Sequence, residues 1–140
     1  ILGGWTASSG SIDAMAWVLF AIMYLWQHPH FYSIAWICRS DYAEAKLKML
    51  PVVEPDGNST IRQIFWHLLL MIPITFLPFI QGALGLFYLI GAFMITSAFF
   101  VSALPLARNR SDKSALLLLK ASVFYLPSLL LIIIIDKGVL

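Results

Sequence analysis

The sequence predicts an all-α, polytopic membrane protein with four transmembrane helices, and three observations carry the prediction. Of its 140 residues 61% are hydrophobic and only 11% charged, with a mean hydropathy of +0.88. An ordinary soluble domain is about a quarter charged, and a chain this short buries only about two-thirds of the surface it exposes when unfolded. So much apolar surface calls for lipid as the solvent. The charged residues are gathered into short segments separated by long uncharged runs, and seven of the nine Lys and Arg fall in two of those segments. This excludes a soluble enzyme and a disordered tail. A scattered net charge of +2 excludes a nucleic-acid reader, which needs a basic stripe.

Charges set the boundaries, because an uncompensated charge at mid-bilayer costs about 3 kcal/mol or more. Residues 14–38, between Asp13 and Arg39, form an uncharged run of 25, enough for one span of about 20 helical residues. Residues 63–107, between Arg62 and Arg108, form an uncharged run of 45, about twice the bilayer thickness at about 1.5 Å per residue. That run divides into spans 63–81 and 83–107, reversing at Gln81-Gly82. The fourth span, 115–135, contains Lys120 near its start, where the side chain can snorkel to the interface.

Orientation follows from the basic residues. Arg39, Lys46, Lys48 and Arg62 belong to segment 39–62, and Arg108, Arg110 and Lys113 to segment 108–113. An even number of spans separates the two, so both lie on the cytoplasmic side or its mitochondrial equivalent. Within 39–62, Ser40 is a candidate N-cap for a helix running to about Leu50, with Asp41 and Glu44 in its first turn and a Glu44–Lys48 pair four apart. Pro51 stops that helix, Pro55-Asp56-Gly57-Asn58 forms a turn, and Thr60 with Gln63 forms a capping box opening the second span. Asn58-Ser59-Thr60 matches a glycosylation sequon but lies on the wrong side of the membrane for modification.

The single cysteine, Cys38, excludes a disulfide framework and any cysteine metal site within this chain, and reads as a small buried hydrophobe. The first residues show neither an initiator Met nor a basic stretch ahead of an apolar run, so no signal peptide is expected. The whole chain, 1–140, reads as the C-terminal part of one longer domain.

The densest polar cluster at membrane depth is Trp26-Gln27-His28-Pro29-His30-Phe31, and ionisable groups inside a span are functional suspects. Gln27 and His30 share a helix face, whereas His28 and His30 are about 200° apart and cannot both face one pocket. The alternative is that these histidines only hydrogen-bond to neighbouring helices. Were the helix to continue past Cys38, Asp41 would lie about 20° around the axis from His30 and about 16 Å along it. A carboxylate there, beside Arg39 and near Lys46 and Lys48, suits a magnesium-bound phosphate, although ordinary solvated charges on an interfacial helix give the same pattern. His67, Tyr88 and Tyr125 read as satisfied interior polar groups. Pro73, Pro78 and Pro127 are expected to kink helices around a central space.

The string Trp26-Gln27-His28-Pro29-His30-Phe31, followed by Arg39-Ser40-Asp41-Tyr42-Ala43-Glu44-Ala45 and Met49-Leu50-Pro51-Val52, resembles the protohaem IX farnesyltransferases, or haem O synthases. The pattern W-Q-x-P-H-F, then D-Y-x-x-A and M-L-P-V, is specific to that family. Looser similarity covers nearly the whole chain. The resemblance implies the C-terminal part of an approximately nine-helix intramembrane prenyltransferase bundle, in which two Asp-rich motifs bind a prenyl diphosphate through Mg²⁺. It implies farnesyl diphosphate and haem B as substrates and haem O and diphosphate as products, with Mg²⁺ as cofactor. It also implies a multi-pass location in the bacterial plasma membrane or the mitochondrial inner membrane. The next haem-modifying enzyme or a terminal oxidase is the implied protein partner.

Carried onto this sequence, Asp41 matches the second Asp-rich motif and would meet Mg²⁺ through the diphosphate, with Arg39 as its basic neighbour. Trp26, Gln27, His30, Tyr42, Lys46 and Lys48 would contact substrate. Lys46 stands where the family usually has glycine. The first Asp-rich motif is absent from residues 1–140, so this stretch alone is expected to be inactive. A competing reading, a non-catalytic haem-binding subunit with His30 and His67 as axial ligands, leaves Asp41 and its cations unexplained. A transporter fragment would show an inverted repeat, and none is found.

Overall fold

The computed structural model describes residues 1–139, and within them the chain forms seven helices and no strand. These are α1 (Leu2–Ser9), α2 (Ala14–Ile37), α3 (Arg39–Glu44), α4 (Leu50–Val53), α5 (Asn58–Ile80), α6 (Leu86–Asn109) and α7 (Asp112–Val139). Three of them, α5, α6 and α7, are long and apolar enough to cross a membrane. The fourth long helix, α2, has the length, at 24 residues, and carries Gln27, His28 and His30 in its second half.

The four long helices form a closed antiparallel ring in which α2 packs on α5 and α7, and α6 packs on the same two. Its centre is filled by fully buried Leu68, Tyr88, Phe99, Leu118 and Leu129. The expected central space is packed rather than hollow in these residues. Between helices in lipid there is no hydrophobic drive, so close approach of small residues and shared hydrogen bonds must hold the ring. Ala92, Ala103, Ala115, Ser33 and Ser122 are buried at the joints. Tyr88 Oη donates to the Thr75 carbonyl at 2.7 Å, and Tyr125 Oη lies 3.4 Å from Thr75 Oγ1 and 3.3 Å from Thr96 Oγ1. Both tyrosines are thus the satisfied interior groups expected.

Both basic segments lie at one end of the ring. Arg39 forms a salt bridge with Asp112 at 2.5 Å, and Arg110 donates to the Asp56 carbonyl and, at 2.6 Å, to Asn58 Oδ1. The reversal falls at Gln81-Gly82 as expected, with Gly82 at a φ of 70°.

Several local expectations are corrected. The first thirteen residues, read only as free of Lys and Arg, contain α1, which ends at Ser9 with Gly10 as its C-cap. The helix expected from Ser40 to Leu50 is two short ones. Ser40 caps nothing; its hydroxyl lies against Asp41. α3 ends at Glu44 with Ala45 as its C-cap, and Lys46, with φ 57°, turns the chain left-handed. The amides of Lys46 and Leu47 bond back to the Ala43 and Tyr42 carbonyls, a Schellman termination whose left-handed position usually holds glycine. Glu44 and Lys48 are therefore not a helical pair, and Pro51 lies at the start of α4 rather than stopping α3. The Thr60–Gln63 capping box does not form. Helix α5 starts earlier, because the Asp56 carboxylate accepts the Asn58 amide and Gly57 takes the N-cap with φ 74°. Gly57 is required there twice over: its φ is left-handed, and a Cβ would collide with the Trp36 ring. Thr60, now inside the helix, is buried with its hydroxyl unpartnered.

Candidate functional site

At the basic end, α3 carries the predicted carboxylate. Asp41 is exposed, and among the described residues its carboxylate contacts only Ser40 Oγ, at 3.4 Å. Its sequence neighbour Arg39 turns elsewhere. The Arg39 guanidinium donates to Asp112 and to the Trp36 carbonyl, both at 2.5 Å, and lies 5.3 Å from the centre of the Trp36 ring. Arg39 thereby ties the end of α2 to the start of α7. A hollow of about 290 Å³ opens beside it, lined by Ile37, Arg39, Ser40, Ala43 and Asp112 with Pro51, Val52 and Pro55 from the α4 region. Asp41 does not line it. Lys46 and Lys48 are exposed in the turn after α3, and Tyr42 is half-buried.

Helix α2 stops at Ile37 and α3 starts at Arg39, so the angular projection from His30 to Asp41 along one regular helix does not hold. Within α2 the geometry does hold, since His28 and His30 engage different neighbours. His30 points into the α2/α7 joint, where Nδ1 lies 2.8 Å from Ser122 Oγ and the ring stacks on Trp26 at 4.8 Å. Trp26 Nε1 donates to the Ser122 carbonyl at 2.8 Å, so Ser122 anchors both rings. Gln27 lines a hollow with Ile1, Phe20, Met23 and Tyr24.

His28 lies at the α2/α5 joint, stacked on His67 with ring centres 3.8 Å apart and planes 12° from parallel. The Nδ1 atoms of both rings lie 2.7 Å from carbonyls one turn back, Tyr24 for His28 and Gln63 for His67. A carbonyl only accepts, so in each ring Nδ1 is the donor. His67 is therefore paired with His28, and the pairing of His30 with His67 as haem ligands on adjacent helices is not what the fold builds. Nothing in the sequence pointed to His67 as the partner, because the contact depends on the register between α2 and α5.

No group of three or more His, Cys, Asp or Glu able to hold a metal occurs among the described residues. Asp41 offers one unengaged carboxylate, a hard oxygen donor of the kind Mg²⁺ takes singly or in pairs alongside substrate phosphates. It fits as part of such a site.

The model of the UbiA prenyltransferase family matches residues 1–128. The chain belongs to that family. Among its relatives are the protohaem IX farnesyltransferases of Solibacter usitatus, 42% identical over 96% of this chain and 46% of the relative, and of Salinibacter ruber, 41% identical over 96% and 48%. The enzyme of the same name from Koribacter versatilis is 43% identical over 97% of this chain and 46% of its own length. The chain thus spans about half the length of these curated relatives. No solved structure matches. This UbiA-family chain is a multi-pass membrane protein, with Asp41, Lys46 and Lys48 at the same end as both basic loops.

Proposed function

We propose that the protein to which this chain belongs transfers the farnesyl group of farnesyl diphosphate to a vinyl group of haem B, giving haem O and diphosphate. The observation that carries the reading is Asp41: an exposed carboxylate with no cation holding it, on a short helix at the basic end of a membrane bundle. The relatives' name supplies the substrate class. We read α2 as the fourth span, since it runs antiparallel along α5 and α7, and the basic end as cytoplasmic.

Lys46 and Lys48 would attract and partly neutralise the diphosphate, whose allylic C–O bond breaks with both electrons leaving on oxygen. Mg²⁺ at Asp41, when bound, would add positive charge on that leaving group. The vinyl carbon attacks the allylic carbon, and water quenches the cation left on the porphyrin side chain. Trp26, His30 and Ser122, locked together at the α2/α7 joint, form a rigid wall on which the haem would be oriented. His30 orients rather than titrates. Tyr42, half-buried on α3, and Gln27 on α2 would add further substrate contacts.

The site lies in the plasma membrane in a bacterium or the mitochondrial inner membrane in a eukaryote, from which haem O passes to the next haem-modifying enzyme or a terminal oxidase. The test is haem O formation by the purified full-length protein given haem B and farnesyl diphosphate, with and without Mg²⁺. Product that requires Mg²⁺ is expected. Product formed equally well in chelator would remove the metal from the account, and haem binding without any prenylation would support a non-catalytic subunit. His30→Ala should weaken haem binding, read from the Soret band on titration, while farnesyl diphosphate binding changes little and His28→Leu is tolerated. Equal haem losses for both variants would contradict the assignment of His30.

A further inference from the structure

On the outer wall of the bundle, between α5 and α6, Arg62, Phe65, Trp66, Leu69 and Phe100 line a hollow of about 210 Å³. Phe65 and Phe100 meet edge to face across it, with ring centres 5.4 Å apart. Trp66 and Leu69 stand on its rim, each more than half exposed. From Arg62 to Leu69 the groove follows seven residues of helix, about 10 Å, and Arg62 closes the end nearest the basic loops. None of these residues belongs to α2, α3 or α7, which carry the site described above.

Every wall of this groove is apolar except its cationic end. The Arg62 guanidinium makes one hydrogen bond, from Nη2 to Ser59 Oγ at 3.2 Å. It has no carboxylate partner, because the one salt bridge among the described residues joins Arg39 to Asp112. An exposed Trp one turn into the span marks the depth at which indole rings settle, just inside the headgroups. At that depth a bilayer presents lipid phosphate, and basic pockets between transmembrane helices at the cytoplasmic face bind such headgroups.

We propose that this groove binds an anionic phospholipid of the leaflet facing the basic loops, its headgroup on Arg62 and one acyl chain lying along Phe65, Leu69 and Phe100. The occupant must be long, apolar and negatively charged at one end. A membrane supplies that at high local concentration directly beside the groove.

The experiment uses the full-length protein in detergent, offered equal amounts of phosphatidylglycerol and phosphatidylcholine with identical chains, and counts retained lipids by native mass spectrometry. One phosphatidylglycerol should be retained in preference. Arg62→Gln should lower that preference about fivefold, Arg62→Lys should keep most of it, and Lys113→Gln, at the same end but outside the groove, should leave it intact. Phe100→Ala should lower retention of both lipids without changing their ratio. Equal retention of the two lipids by the unaltered protein would overturn the proposal, as would a preference insensitive to Arg62→Gln. Displacement of the lipid by stoichiometric farnesyl diphosphate would make the groove a prenyl diphosphate site and overturn it equally. None of these outcomes depends on haem O formation.

Discussion

The two ends of the bundle are closed by different means. At the basic end the ties are exposed side chains: Arg39 to Asp112, with side chains 39% and 58% accessible, and Arg110 to Asp56 and Asn58. At the opposite end a single buried carboxylate does the work. Asp136, near the end of α7, is only 3% exposed, and its two oxygens accept the backbone amides of Gly85 and Tyr88 at 2.6 and 2.9 Å. It thus caps α6 from another helix, where the dipole favours an anion and the amides would otherwise be orphaned. Water and salt screen the first kind of tie and not the second. The difference assigns rigidity to the far end and exchangeability to the end that carries Asp41, where under the proposed function a diphosphate would enter and leave.

The largest effect should come from breaking the far end. Asp136→Ala leaves two buried amides without partners, and a loss of about 3 kcal/mol in the unfolding free energy of the full-length protein is expected. A loss under about 1 kcal/mol would show that the buried cap does not hold that end. Next comes the strain at the mouth. Lys46 sits in a left-handed conformation that costs an L-residue about 1 kcal/mol or more, so Lys46→Gly should raise stability by about that much while raising the KM for farnesyl diphosphate. Lys46→Asn, which tolerates the same backbone but has no charge, should show the same KM rise. An unchanged KM in both would make the lysine incidental. The smallest effect is expected at the exposed bridge, where a double-mutant cycle of Arg39→Gln and Asp112→Asn should give a coupling below about 1 kcal/mol that shrinks with salt. A larger, salt-insensitive coupling would erase the contrast between the ends.

Much of this architecture is legible in the sequence because charges are excluded from lipid, so the gaps between Asp13, Arg39, Arg62 and Arg108 mark the long helices to within a few residues. The same charges place both basic segments at one end, and Arg39–Asp112 joins them. Local capping was less legible. Thr60 and Gln63 carry a capping-box pattern, yet Asp56 and Gly57 start the helix earlier because Gly57 alone can lie against Trp36. Contacts between distant helices were not legible at all. Neither the cap made by Asp136 nor the stacking of His28 on His67 leaves a local signature, since each depends on how far one helix slides along another. Of the candidate site, Asp41 and the two lysines fall at the expected end, while the bond of His30 to Ser122 across α2 and α7 was not foreseen.

The division of labour between the ends is tested most directly by comparing Asp41→Asn with Asp136→Asn in the full-length protein, measuring farnesyl transfer to haem B per folded molecule alongside thermal unfolding. Asp41→Asn should lower turnover by about a hundredfold or more with an unfolding temperature like that of the unaltered protein, whereas Asp136→Asn should lower the unfolding temperature and leave turnover per folded molecule nearly unchanged. Near-normal turnover of Asp41→Asn would contradict the account, because this exposed carboxylate at the mouth would then be an ordinary surface residue.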